Sequence, residues 1–334
     1  MPSSSQKNML RSSILSLAIL IVSLGLPARA SAAAVIPAEF SKARQLQFTA
    51  ETFQKYLPQL AQAQQKVESL LVLASSSQQV KKLEDQFQAA GGDLSRLKFH
   101  ITRYNSFWFQ DFGPIYSKSD KGAIQSLDLV YTRYNRTLDD SVPESLSAAL
   151  GIKNIKVNLN FEGGNLISDG QGRCFTSSRL YEQNPQLSQE EVDQVMRLEL
   201  GCRSLVVLEP LADDVTFHID LFAKLVNLKT FIVGDFVDHK VNQDRMNRNA
   251  EKLQSLGYKV HRLKVRSPVA KVYFTHLNSF LLNGTVLLPN YGAREDLEAA
   301  KLYQSLGFQI IQFPAQDLVR QGGSIHCVMR SLPN

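Results

Sequence analysis

Short apolar runs of strand length recur along this chain, most of them beside a stretch with helical periodicity, and that alternation limits the fold more than any other feature. Leu70-Leu71-Val72-Leu73-Ala74 has the pattern of a buried strand. It is followed by a helical pattern over 78–90 that stops at Gly91-Gly92, and by a strand over 97–104. The same order returns with a strand at 127–131, a helix at 143–150 and a strand at 155–159. It returns again with a helix at 189–200 before a strand at 204–208, and with a strand at 230–233, a helix at 242–256 and a strand at 259–263. Strands at 279–282 and 285–288 turn on Asn283-Gly284, a strong hairpin signal, before a helix at 294–306 and a strand at 309–312. Residues 34–49 read as an extended entry segment, and 50–68 as a helix that Pro58 can kink. Alternating strands and helices imply an α/β fold, and recurrence at roughly 50–60 residues implies repeated architecture. No stretch rich in Pro, Gly or Ser interrupts 40–330, so residues 34–334 are expected to form a single domain.

The first 33 residues stand apart from that pattern. Lys7 and Arg11 precede a mostly apolar run of 13 residues, Ile14 to Leu26, which is too short to span a bilayer. Ala28-Arg29-Ala30 or Ala30-Ser31-Ala32 then offers a small-residue cleavage site, so 1–33 reads as a signal peptide and the protein as secreted or periplasmic. An uncleaved N-terminal anchor is the alternative. No other run approaches spanning length, so no membrane partner is expected after cleavage. Loss of Lys7, Arg11 and Arg29 takes the net charge from +6 to +3, and the remaining Lys and Arg are scattered. With no nucleic-acid module signature, a nucleic-acid partner is not expected. The oligomeric state stays open.

Four polar clusters break the apolar grammar. Trp108-Phe109-Gln110-Asp111-Phe112-Gly113-Pro114 sets an acid among aromatics, where a turn is its simplest setting. Phe161-Glu162-Gly163-Gly164-Asn165 follows a strand, and its glycines make room. In Phe217-His218-Ile219-Asp220-Leu221-Phe222, strand spacing would send His218 and Asp220 to one face. Gln321-Gly322-Gly323-Ser324-Ile325-His326-Cys327, read as the last ordered stretch, delivers a thiol. Three carboxylates, a histidine and a thiol suit attack on a planar cation. Carboxylates can pair with guanidinium N–H groups, a thiolate can attack the central carbon, and a histidine can protonate the departing ammonia and then activate water. No His-x-x-x-His or paired-Cys spacing points to a metal. Of the three cysteines, pairing Cys174 with Cys202 would leave Cys327 free in an oxidising compartment.

These clusters, in this order from about Ile36 to Cys327, resemble those of the guanidino-group-modifying, or pentein, superfamily, which includes arginine, agmatine and bacterial peptidylarginine deiminases. The resemblance implies a five-bladed α/β propeller of ββαβ units with pseudo-fivefold symmetry. It implies that Asp111 and Asp220 bind the guanidinium, His218 is the general acid/base, Glu162 orients it, and Cys327 is the nucleophile of a cofactor-free hydrolysis through a thiouronium intermediate. Trp108, Asn165 and Asn278 are further candidates for substrate contact.

The substrate's tail is read from smaller matches. Phe40 and its segment, Asn278-Ser279-Phe280, Pro289-Asn290-Tyr291-Gly292 and the Gly-Gly-Ser-Ile-His-Cys ending resemble agmatine deiminases. This chain nevertheless has Gln110 where those commonly carry Arg, and Phe217 where they carry Gly. Tyr134-Asn135-Arg136 and 218–224 resemble the secreted peptidylarginine deiminases, whose arginine pair grips an α-carboxylate; Arg136 matches one of the pair and Leu138 stands at the other. Arg179, Arg320 and Arg330 are other candidates for a carboxylate. The expected substrate is peptidyl or free arginine, giving citrulline and ammonia. Agmatine is the alternative, with amidinotransfer or a non-catalytic binder of arginine-containing ligands behind it.

Overall fold

The computed structural model describes residues 36–269 and 272–334; the expected signal peptide lies outside them. Its architecture is mixed α/β, and five of its sheets share one plan. In each, one strand pairs antiparallel with a neighbour on one side and, on the other, parallel with the strand that follows it in sequence. The parallel neighbour is reached through a helix, because a parallel partner requires a crossover.

Ile124–Val130 lies between Ile115–Lys118 and Lys153–Asn160, with helix Val142–Leu150 as the crossover. Arg173–Ser177 lies between Ile167–Ser168 and Ser204–Leu208, crossing by Gln189–Leu198. Thr230–Asp235 lies between Ala223–Asn227 and Lys259–Lys264, crossing by Lys240–Ser255. Thr285–Asn290 lies between Phe280–Leu282 and Gln309–Pro314, crossing by Arg294–Ser305. In the fifth, Ala43–Thr49 pairs antiparallel with Met329–Pro333 from far along the sequence, with Leu332 opposite Gln45, and parallel with Ser69–Ala74. That sheet adds Leu97–Ile101 beyond helix Ser77–Ala89. Arg266–Val269 and Val272–Phe274 form a separate two-stranded ribbon.

Ser69–Ala74 reads as an unbroken apolar run because it is flanked by strands and buried along its whole length. Each large side chain so buried contributes about 1.5–3 kcal/mol. The helical stretch 50–68 is two helices, Ala50–Lys55 and Leu57–Gln64, separated at Tyr56 just ahead of Pro58. Asn283 and Gly284 turn their hairpin with φ of 48° and 78°. The Asn283 side chain also bonds the Ala43 N–H and C=O, both at 2.8 Å, tying that hairpin to the first strand of the fifth sheet.

Two expectations need correction. Residues 217–222 do not form a strand: Phe217 has φ 58° and Ile219–Leu221 is a single 3-10 turn. The cause is Asp214, whose carboxylate accepts from the Thr216 hydroxyl at 2.6 Å and from the Phe217 N–H, folding the backbone into a turn. Nor is 321–327 the last ordered stretch, since strand Met329–Pro333 follows it. Among the described residues, no helix is long and apolar enough to cross a membrane.

The five sheets share one further feature. Each antiparallel first strand is entered from a short polar segment, and these segments carry Asp111, Glu162 to Asn165, His218 to Asp220, Asn278, and Cys327. That recurrence assembles the site.

Candidate active site

Asp111 lies in a one-turn helix, Phe109–Phe112, rather than in an open turn. The loop before it is held by Asp139, whose carboxylate accepts from the Asn105 N–H at 2.6 Å and the Ser106 hydroxyl at 2.8 Å. Trp108, half-buried, tilts against Phe107 with ring centroids 4.5 Å apart. Gly323 gives its indole room, since a Cβ there would stand 2.4 Å from the ring and 3.1 Å from Cys327 Sγ. The indole and thiol therefore flank one glycine.

Gly164 marks the centre. A Cβ on it would lie 2.5 Å from His218 Nδ1, 2.9 Å from Asp111 Oδ1 and 3.2 Å from Asp220 Oδ2. Three groups from two sheet entrances thus converge on the backbone of a third. His218 is 2% exposed and its Nε2 lies 2.8 Å from Glu162 Oε2, while Nδ1 stands 3.5 Å from Asp111 Oδ1. Glu162 is in turn gripped by both arms of Arg133, with Nη2 at 2.9 Å, and by Gln183 Nε2 at 3.2 Å. Cys327 is the one free cysteine among the described residues. It receives the Asn278 amide on Sγ at 3.2 Å and stands 3.6 Å from Asp220 Oδ2.

The charges follow from this crowding. Burial disfavours a charged His218, but Asp111 and Glu162 outweigh burial and raise it to about 9. Burial raises Asp111 to about 6, with Glu162 and Asp220 adding to it and His218 opposing. Burial also opposes ionisation of Glu162, but His218 and Arg133 hold it well below the usual carboxylate range. Burial, then Asp220 and Asp111, push the Cys327 thiol well above its ordinary value. Two carboxylate oxygens, Asp111 Oδ1 and Asp220 Oδ1, are buried and accept no hydrogen bond from the protein. Such a pair is suited to a cation that carries several N–H donors.

The remaining candidates are placed less uniformly. Asn165 is fully buried; its Oδ1 accepts from the Ser177 N–H at 3.0 Å and its Nδ2 has no protein acceptor. Arg136 is half-buried and bonds Tyr131 Oη at 3.0 Å, and Tyr131 lies within electrostatic reach of Asp111 and Glu162. Arg179 lies over the Phe217 ring at 5.5 Å. Arg330 is buried against Gly163 and bonds the Gln110 carbonyl, so it packs under the site, while Arg320 is exposed. Sequence reading missed Arg133, Gln183, Glu39 and Lys224. Lys224 left a signal, a lysine inside the apolar run 221–226 that must find a buried partner. Arg133 left none that separates it from a solvated surface charge.

The cysteine expectation is met: Cys174 and Cys202 are bonded, their Cα atoms 5.4 Å apart. The bridge ties strand Arg173–Ser177 to the turn after helix Gln189–Leu198.

Similarity to known proteins follows the same lines. The family model for the Porphyromonas-type peptidyl-arginine deiminase matches residues 30–333. The agmatine deiminase of Ectopseudomonas mendocina (strain ymp) is 23% identical over 272 residues, covering 68% of this chain and 74% of that protein. The structure of C. jejuni agmatine deiminase with substrate bound superposes with a TM-score of 0.78 at 21% identity, covering 89% of this chain and 96% of that one. Agmatine deiminase of Enterococcus faecalis superposes with a TM-score of 0.77 at 19% identity, covering 90% and 96%. At these identities the superpositions speak to the fold, which matches pentein structures. The chain belongs to the Porphyromonas-type peptidyl-arginine deiminase family, in the pentein superfamily, and is a deiminase that hydrolyses C–N bonds of guanidino groups.

Proposed function

We propose that the chain deiminates agmatine to N-carbamoylputrescine and ammonia without a cofactor. The observation that carries the guanidino part is the pair of buried, unpartnered oxygens, Asp111 Oδ1 and Asp220 Oδ1, beside His218 and the Cys327 thiol. The agmatine deiminases among its relatives support the tail.

In this reading the guanidinium lies between Asp111 and Asp220, and Glu162 keeps His218 protonated and aligned. Cation binding offsets the two negative charges that hold the Cys327 proton on, so once substrate is present the thiol ionises more readily, its proton passing to solvent. The thiolate then attacks the guanidinium carbon. His218 gives its proton to the departing nitrogen, the C–N bond breaks, and ammonia leaves a covalent thiouronium on Sγ. His218, now neutral, takes a proton from water as the hydroxide adds to the same carbon. The C–S bond breaks, the hydroxyl proton follows the sulfur, and the ureido product departs. The Asn278 amide steadies the sulfur, while Trp108 and Asn165 shape the pocket.

A second reading, peptidyl or free arginine, is favoured by two half-buried cations that suit a carboxylate better than an ammonium: Arg136, bonded to Tyr131, and Arg179, over the Phe217 ring. The five like sheets support an arrangement of five blades about a pseudo-fivefold axis. The leader-like 1–33 and the Cys174–Cys202 bridge support secretion or a periplasmic location.

Ammonia release from agmatine, free arginine, a peptide ending in arginine and a peptide with internal arginine tests both readings. Turnover of agmatine that disappears in Cys327→Ala is expected. Turnover of arginine compounds alone would replace the first reading by the second, and full activity in Cys327→Ala would remove the covalent route.

A further inference from the structure

Asp220 also belongs to a second row of charges, none of which touches the reacting carbon in the chemistry above. His326 is completely buried and carries a carboxylate on each ring nitrogen. Nδ1 lies 2.7 Å from Asp220 Oδ2 and Nε2 lies 2.9 Å from Glu39 Oε1. The other Glu39 oxygen accepts from Lys224 Nζ at 2.9 Å, and Lys224 is 1% exposed. Glu39 comes from the entry segment, 287 residues before His326. That segment is fastened by the Ser168 hydroxyl, which donates to the Ile36 carbonyl at 2.6 Å, and by Ile36 itself, packed among Leu166 and its neighbours.

A neutral imidazole has one N–H donor, and an ionised carboxylate can only accept. Two carboxylates at hydrogen-bond distance from both nitrogens are satisfied together only by an imidazolium. Lys224 in turn keeps Glu39 ionised, so Asp220, His326, Glu39 and Lys224 form a row of alternating, balanced charge. Breaking such a row by removing one member leaves a buried charge uncompensated.

We propose that Glu39 and His326 are positioning residues: the entry segment supplies the carboxylate that keeps His326 cationic, and His326 fixes Asp220 Oδ2 so that Oδ1 stays ionised and free for the guanidinium. This rests on the reading of Asp220 given under the proposed function. The other charged or titratable groups facing the row are Cys327, His218 and Asp111 at the Asp220 end, and Arg330 and Tyr303 within electrostatic reach of Glu39. The titration directions agree with the geometry. Burial and Lys224 pull His326 down, yet Glu39 and Asp220 raise it above an ordinary imidazole. Burial opposes ionised Glu39, but Lys224 and His326 hold it far below the carboxylate range.

Two measurements on the full mature chain test the proposal. In 15N spectra of histidine-labelled wild type at about pH 7.5, a unit above the ordinary imidazole midpoint, both His326 ring nitrogens are expected to carry protons. A neutral ring there overturns the proposal, and this reading needs no variant. Second, agmatine binding is titrated on Cys327→Ala with and without Glu39→Gln. Glu39→Gln is expected to weaken binding by about 10- to 100-fold. With Cys327 intact it is expected to raise KM more than it lowers kcat, and His326 should lose its proton at lower pH. Unchanged binding and an unchanged His326 titration in folded Glu39→Gln also overturn it. If Glu39→Gln does not fold, the wild-type spectrum decides. Wild type that turns over no guanidino compound would instead overturn the functional reading, an outcome distinct from an active wild type indifferent to Glu39.

Discussion

Asp111 and His218 divide the pH axis between them. Asp111 must be ionised to hold a cation, and its carboxyl is raised to about 6, so kcat/KM should rise with pH through about 6. In the proposed mechanism His218 must carry a proton to release ammonia, and it keeps that proton up to about 9, so activity should fall as pH rises through about 9. The expected profile of ammonia release is a bell between those limits. A profile that is flat across both would remove these roles. Asp111→Asn keeps the shape and loses the charge; it should lower turnover by about 10²- to 10³-fold and abolish the acid limb. Wild-type kinetics in that variant would remove Asp111 from the guanidinium clamp. The five central residues were legible because each is a polar group amid aromatics, glycines or apolar runs. Arg133 and Glu39 were not, because each acquires its meaning from a partner 29 or 287 residues away.

Between residue and fold, the short segments that enter the five first strands do the placing. Strand periodicity put His218 and Asp220 on one face, and both do border Gly164, but for another reason: Asp214 folds the segment and the Ile219–Leu221 turn carries Asp220 round. Local side-chain capping overrode a two-residue period that sequence alone could not tell from a strand. Gly164 is where three of these segments meet, and Gly164→Ala tests the meeting point. Its Cβ would need His218 Nδ1 and Asp111 Oδ1 to withdraw from 2.5 and 2.9 Å, and neither lies at the end of a long flexible chain. Overpacking of this kind typically costs about 1–3 kcal/mol of stability, and displacing catalytic groups by about 1 Å can cost about 10²-fold in rate. The variant should therefore melt modestly lower yet lose most of its ammonia release. Near-normal kinetics would mean that the pocket does not centre on Gly164.

For the whole molecule, the recurrence of strand, helix and strand was readable, whereas the way the series closes was not. The fifth sheet takes its antiparallel first strand, Met329–Pro333, from the far end of the sequence, and nothing local marks that pairing with Ala43–Thr49. Cys327 stands one residue short of the closing strand, while Asn278, which contacts its sulfur, stands one residue short of strand Phe280–Leu282. The closure therefore fastens Cys327, the proposed nucleophile, as well as the sheet. Truncation after Val328 would remove Met329 and Leu332, buried at 0% and 2%, and leave Ala43–Thr49 without its antiparallel partner. Losing two such side chains costs about 2–5 kcal/mol each, against a total stability of about 5–15 kcal/mol. The truncated chain should lose its cooperative thermal transition, or melt at least about 10 °C lower, and release no ammonia from any guanidino substrate. Retained activity with a melting temperature close to that of the full chain would show that the closing strand holds neither the sheet nor Cys327.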